Sequence, residues 1–192
     1  MTFLPGGPRR ERYGESVLLG HPPRDGALAD ELLELAAEQR ETVHLGASDD
    51  PAERLAWREV TVRHADRLAR LLDEHGWPTE DVVGAEAARA AWLVALHADQ
   101  QLPLQRRAVE LMSAAVDARR ASAYQLAFLR DRTLVNSGLP QRYGTQVADV
   151  VDGVPVPWPC EEPAGLDTRR ATVGLEPWAA YVQAHQAHHP SP

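Results

Sequence analysis

The chain has 192 residues, 44% of them hydrophobic and 25% charged, a balance that fits one globular domain able to bury its own core. A formal net charge of −8 with scattered arginines argues against the concentrated positive surface that a nucleic-acid partner requires. All 20 basic residues are arginine, so no lysine is present to form a Schiff base, anchor pyridoxal phosphate or serve a phosphate loop.

No apolar run approaches the roughly 18 residues that span a bilayer, and Met1–Arg10 lacks the basic-then-apolar order of a signal peptide. No membrane partner is expected, and the cytoplasm is the default compartment. Cys160 is the single cysteine, so no internal disulfide forms. It lies beside Glu161 and Glu162, which disfavour its thiolate and make it a bystander.

Residues 1–24, rich in Gly, Pro and Arg, read as an extended or loosely ordered arm. Asp25 is a candidate N-cap for a helix near 27–42 whose apolar side is Leu32, Leu33, Leu35 and Ala36. The next helix is marked at both ends, by Asp50 and Pro51 at the start and Gly76 at the finish. Along it Trp57, Val60, His64, Leu68 and Leu71 share one face. Trp77-Pro78 breaks the chain, and a third helix over about 85–98 aligns Ala90, Leu93 and His97. A fourth, opened by Leu102-Pro103 and reaching about residue 119, aligns Gln105, Val109 and Met112. Ser122 caps a fifth, with Tyr124, Phe128, Asp131, Leu134 and Val135 on one stripe and Gly138 closing it.

Beyond Gly138 the pattern changes. Tyr143–Val151 and Val154–Trp158 read as a β-hairpin around Asp152-Gly153, with Pro155, Pro157 and Pro159 confining the second strand to an edge. Short helices near 163–173 and 176–187 follow, and 188–192 is a frayed tail. The expectation is a mainly α, single-domain helical bundle over residues 25–187 with a small C-terminal β-hairpin near 143–158.

Four helices thus each place a polar residue, His64, His97, Gln105 or Asp131, inside an apolar stripe. A buried polar group without a partner costs about 1–3 kcal/mol, so such residues should satisfy one another or line a wet cavity. His97 is the candidate general acid or base. Asp99, two positions on along a helix, points elsewhere, so Asp131 is the candidate orienter of its ring. The alternative is a core histidine bonded to a backbone carbonyl. Asp131 has its own structural alternative, an ion pair with Arg132 or Arg142. His64, Gln105 and Arg132 are candidate substrate-binding groups, and a helix-to-helix hydrogen bond is the alternative for Gln105.

The segment Gln141-Arg142-Tyr143-Gly144-Thr145-Gln146 is the densest polar motif. Gln141, Tyr143 and Gln146 could present donors and acceptors to one small ligand, or the loop could be a structural connector. A metal site built from His64, His97 and Asp131 is chemically conceivable, but no helical His pair four residues apart supports it.

Gly76-Trp77-Pro78, His97-Ala98-Asp99, Asp131-Arg132, Gln141-x-Tyr143-Gly144-Thr145-Gln146, Arg169-Arg170 and Gly174-Leu175 follow one another in this order. The series resembles a bacterial family catalogued only as a domain of unknown function, over roughly residues 50–185. The resemblance implies one domain and supplies no reaction. At His64 it implies asparagine, so the histidine is a departure.

The first expectation is a metal-independent acid–base enzyme, needing no cofactor, that hydrolyses, isomerises or cyclises a small polar metabolite, in bacterial specialised metabolism. The alternatives are a non-catalytic ligand-binding or protein-interaction domain whose polar residues form a structural network, and a metal-dependent enzyme using His64, His97 and Asp131.

Overall fold

The computed structural model describes residues 23–151 and 154–188. Its helices begin where the sequence offers caps. Asp25 accepts a 3.0 Å hydrogen bond from the Leu28 N–H and starts α1, Gly26–Thr42. Asp50 accepts from the Ala52 N–H at 2.8 Å, Pro51 opens α2, Pro51–His75, and Gly76 ends it at φ +71°. A one-turn helix that the sequence pattern does not announce, α3 (Glu80–Val83), precedes α4 (Ala85–Leu96). Then come α5 (Leu102–Asp117) and α6 (Ala123–Asn136), the latter capped by Ser122 on the Gln125 N–H at 3.3 Å.

Helix α4 is the centre of the bundle. Its buried Ala87, Ala90, Ala91 and Ala95 present so little side chain that α1, α2, α3, α5 and α6 all reach it. Around it close Leu28 and Leu32 of α1, Leu68 and Leu72 of α2, and Leu104, Met112, Leu126 and Leu129 of α5 and α6. Each such leucine contributes about 1.5–3 kcal/mol by leaving water. Of the α2 stripe, His64, Leu68 and Leu71 are buried, while Trp57 and Val60 are half-buried. On α1, Leu33 instead faces solvent, and Leu28, Ala29 and Gln39 complete the buried side. On α6 the buried face carries Leu126, Ala127 and Leu129, while Tyr124, Phe128, Leu134 and Val135 are half-buried.

The hairpin consists of β1 (Val147–Val151) and β2 (Val154–Pro157), antiparallel, with Val151 opposite Val154, Val150 opposite Pro155 and Asp149 opposite Val156. Its first strand begins four residues later than the hydrophobic pattern suggests, because the backbone of residues 142–145 bonds elsewhere, as set out below. The expected helix near 163–173 is a 3-10 turn, Pro163–Gly165, followed by α7 (Leu166–Thr172), and α8 runs Trp178–His188. The Asp152-Gly153 turn, residues 1–22 of the arm and 189–192 of the tail lie outside the described residues. No helix among the described residues is long and apolar enough to cross a membrane.

Candidate functional site

Asp131 faces the motif loop. Its carboxylate accepts hydrogen bonds from the backbone N–H groups of Arg142 (2.8 Å), Tyr143 (3.0 Å) and Thr145 (3.0 Å), and from the Thr145 hydroxyl (3.1 Å). Burial pushes its carboxyl above the usual range, while the donors from Thr145, Arg142 and Tyr143 pull it back. Gly144, at φ +68°, supplies the left-handed bend that lets these N–H groups converge. From the other side, Arg169 donates to the Arg142 carbonyl at 2.8 Å and the buried Arg170 to the Tyr143 carbonyl at 2.7 Å. Arg170 also lies 5.6 Å from the Trp178 ring and 5.7 Å from that of Tyr181.

Gln141 is equally committed. Its amide donates to the carbonyls of Gln146 and Trp158, both at 2.9 Å, and its oxygen accepts from the Gln146 N–H at 2.8 Å. It therefore joins the two ends of the hairpin. The loop is thus held by Asp131, Arg169, Arg170 and Gln141, and the Gln141 amide is engaged with the chain itself.

The adjacent residue on α6 points the opposite way. Arg132 forms a forked ion pair with Asp99, with Nε donating to Oδ1 at 2.8 Å, and reaches Gln146 Oε1 at 3.1 Å. Asn136 donates to Asp99 Oδ1 and to Gln105 Oε1, both at 2.9 Å. The Gln105 amide faces the carbonyls of Ala95 and Leu96 at 3.4 Å, at the end of α4 where the regular helical ladder stops. Burial raises the Asp99 carboxyl, yet Arg132 and Asn136 outweigh it and hold it below the ordinary value.

His97, the residue that closes α4, lies in a neighbouring seam between α1, α2 and the end of α4. Its Nδ1 is 2.9 Å from Gln39 Oε1 on α1, so Nδ1–H donates to that oxygen and Nε2 carries the lone pair. Burial, with Arg132 as the second cause, lowers its pKa to about 4, so the ring is neutral at pH 7. Trp57 stands against it edge-on, with ring centroids 5.6 Å apart and an interplanar angle of 67°. Gly46 makes room for Trp57, since a Cβ there would come within 2.8 Å of the indole.

In the same seam His64 Nε2 donates to Glu38 Oε2 at 2.8 Å, and Arg63 pairs with the other Glu38 oxygen. These partners, His64 first, hold the Glu38 carboxyl below its ordinary value. Gln101, in the turn after α4, bonds back to α2 through the Val62 carbonyl and Asp66.

The expected convergence is therefore divided. Gln105, Asp131, Arg132, Gln141, Tyr143 and Gln146 belong to one network around α6, while His64 and His97 lie in the seam with Glu38 and Gln39. The orienter of His97 is Gln39 rather than Asp131, because the Asp131 oxygens are already bonded to the loop. Asp99, whose oxygens accept from Arg132 and Asn136, acts on His97 through space and raises its pKa. The conceived metal triad is not assembled either. Its three members bond to three different partners, and no group of three His, Cys, Asp or Glu among the described residues could hold a metal ion.

Sequence reasoning misses Gln39, Glu38, Asp99 and Asn136. For Gln39 a signal exists: Leu32, Ala36 and Gln39 recur at spacings of 4 and 3, the same polar interruption that marks the other helices. The open groove between α1 and α2, bounded by Asp25, Glu31, Arg67, Glu74 and His75, lies about two helical turns away at the other end of α1, apart from both centres.

The architecture defines a class: a mainly α domain in which a buried carboxylate holds a six-residue loop beside a seam containing two histidines. The chain belongs to the family of unknown function DUF6624, whose model matches residues 27–189. The match includes α1, and so Gln39, which the resemblance over 50–185 leaves out. No curated protein and no solved structure matches the chain.

Proposed function

We propose that this domain is a metal-independent acid–base enzyme acting on a small polar metabolite in the seam at His97. The observation that carries the reading is the bond from His97 Nδ1–H to Gln39 Oε1, which leaves the lone pair of a neutral imidazole on Nε2. Such a nitrogen takes a proton rather than giving one. With a pKa near 4 it is a weak base, suited to relieving a hydroxyl or amine of its proton as that group forms a new bond. Hydrolysis and cyclisation meet this requirement better than abstraction of a proton from carbon. In this reading Trp57 provides an apolar wall, and Gln39 and His64 position the substrate. A bacterial source and a place in specialised metabolism belong to the same proposal.

A second reading, a non-catalytic binding or interaction domain, is favoured by one specific observation. Gln105, Asp131, Arg132, Gln141 and Gln146 are all engaged with other groups of the chain, as a structural network would require. Incubating a metabolite panel with the wild type and with His97→Ala, read by mass spectrometry, separates the two. A compound consumed by the wild type and spared by the variant supports the enzyme. Equal consumption by both removes His97 from the chemistry.

A further inference from the structure

Two deeply buried polar atoms of the seam have no hydrogen-bond partner among the described residues, Gln39 Nε2 and His64 Nδ1. Gln39 is 3% exposed and His64 1%, so bulk water does not serve them. The first is a donor. In the neutral ring the second is an acceptor, since the single N–H then sits on Nε2 and is directed at Glu38. Leaving such groups unmade costs about 1–3 kcal/mol each, which a bound molecule of the right pattern would recover.

Charge narrows that pattern. Arg132 is matched by Asp99, and Arg63 and His64 both face Glu38. Gln101 bonds to Asp66, and His97 is neutral at pH 7. Among these described residues, then, the charges of the seam are directed at one another, which favours an uncharged ligand over a carboxylate, phosphate or amine. Trp57 and His97 add flat aromatic surface.

We propose that this seam binds an uncharged planar amide or lactam, its carbonyl oxygen accepting from Gln39 Nε2–H and its N–H donating to His64 Nδ1. The proposal rests on the reading of His97 as the reactive centre and names the substrate class for it.

The test titrates benzamide and uracil, with benzoate as the charged counterpart, into the full-length protein. Proton–nitrogen spectra follow the Gln39 side-chain amide and the His64 ring nitrogens. Either neutral probe should shift both signals saturably, with benzoate roughly tenfold weaker or more. Gln39→Leu, or Gln39→Met should the first fold poorly, should lose roughly tenfold in affinity for the neutral probe. Benzoate binding as tightly as benzamide overturns the proposal. So does an unchanged affinity in either Gln39 variant, or the absence of any shift at the solubility limit, which would assign these atoms to water alone. Probe binding requires no turnover, so the ligand class and the role of His97 as a base fail separately.

Discussion

His97 illustrates how one side chain links stability to chemistry. Its folded-state pKa of about 4 lies below the ordinary 6.5, so the unfolded chain takes up the proton first as the pH falls. The stability associated with the neutral ring is complete above about pH 6.5 and drains away toward pH 4. A tenfold difference in proton affinity between folded and unfolded chain corresponds to about 1.4 kcal/mol, so a loss of about 2 kcal/mol is expected. Urea denaturation at pH 7.5 and 4.5 should show the wild type losing about that much more than His97→Gln. Parallel pH profiles for the two proteins would contradict the assignment. Asp131 makes a different demand. Asp131→Ala strips three backbone N–H groups and a hydroxyl of their acceptor and should cost about 3–5 kcal/mol in the same experiment. A loss below about 1 kcal/mol would mean that the loop holds itself.

Among the elements, α6 is the hub, because Asp131 and Arg132 diverge from consecutive positions toward the motif loop and toward the turn after α4. Arg132→Met leaves Asp99 without its cation and should cost about 2–3 kcal/mol. This is less than a deeply buried pair would lose, since the Asp99 side chain is 31% exposed. Pairing it with Asp99→Leu should recover part of the loss, and strict additivity in the double-mutant cycle would show that the two do not interact. The helices themselves are legible because caps at Asp25, Asp50 and Ser122 and polar breaks in apolar stripes are local signals. What a polar residue bonds to is not local. From Asp131 alone one reads only that a buried carboxylate needs donors. Whether these come from an imidazole or from loop N–H groups depends on how α6 is rotated against the hairpin. The same dependence hides Gln39, whose partner lies 58 residues away. Equally, the start of β1 is hidden, since apolar alternation continues through residues whose N–H groups Asp131 has already claimed.

Taken as a whole, the molecule joins its bundle to its C-terminal layer through polar contacts more than through a shared core. Tyr143, Leu175 and Ala127 form only a small buried cluster there, while Asp131, Arg169 and Arg170 hold both edges of the loop backbone. Such a joint should open with the bundle rather than ahead of it. Native-state hydrogen exchange is therefore expected to protect the N–H groups of Tyr143 and Thr145 to nearly the global unfolding energy. Fast exchange at both, with the bundle intact, would show the layer to be a separate and weaker unit.

The division between a structural network at Asp131 and a reactive seam at His97 is most directly tested on the His97 ring, by long-range proton–nitrogen correlation at pH 7. A protonated Nδ1 and a lone pair on Nε2 are predicted, with the pattern unchanged in Asp131→Asn and altered in Gln39→Leu. A doubly protonated ring, or a ring that responds to Asp131→Asn and not to Gln39→Leu, would contradict it.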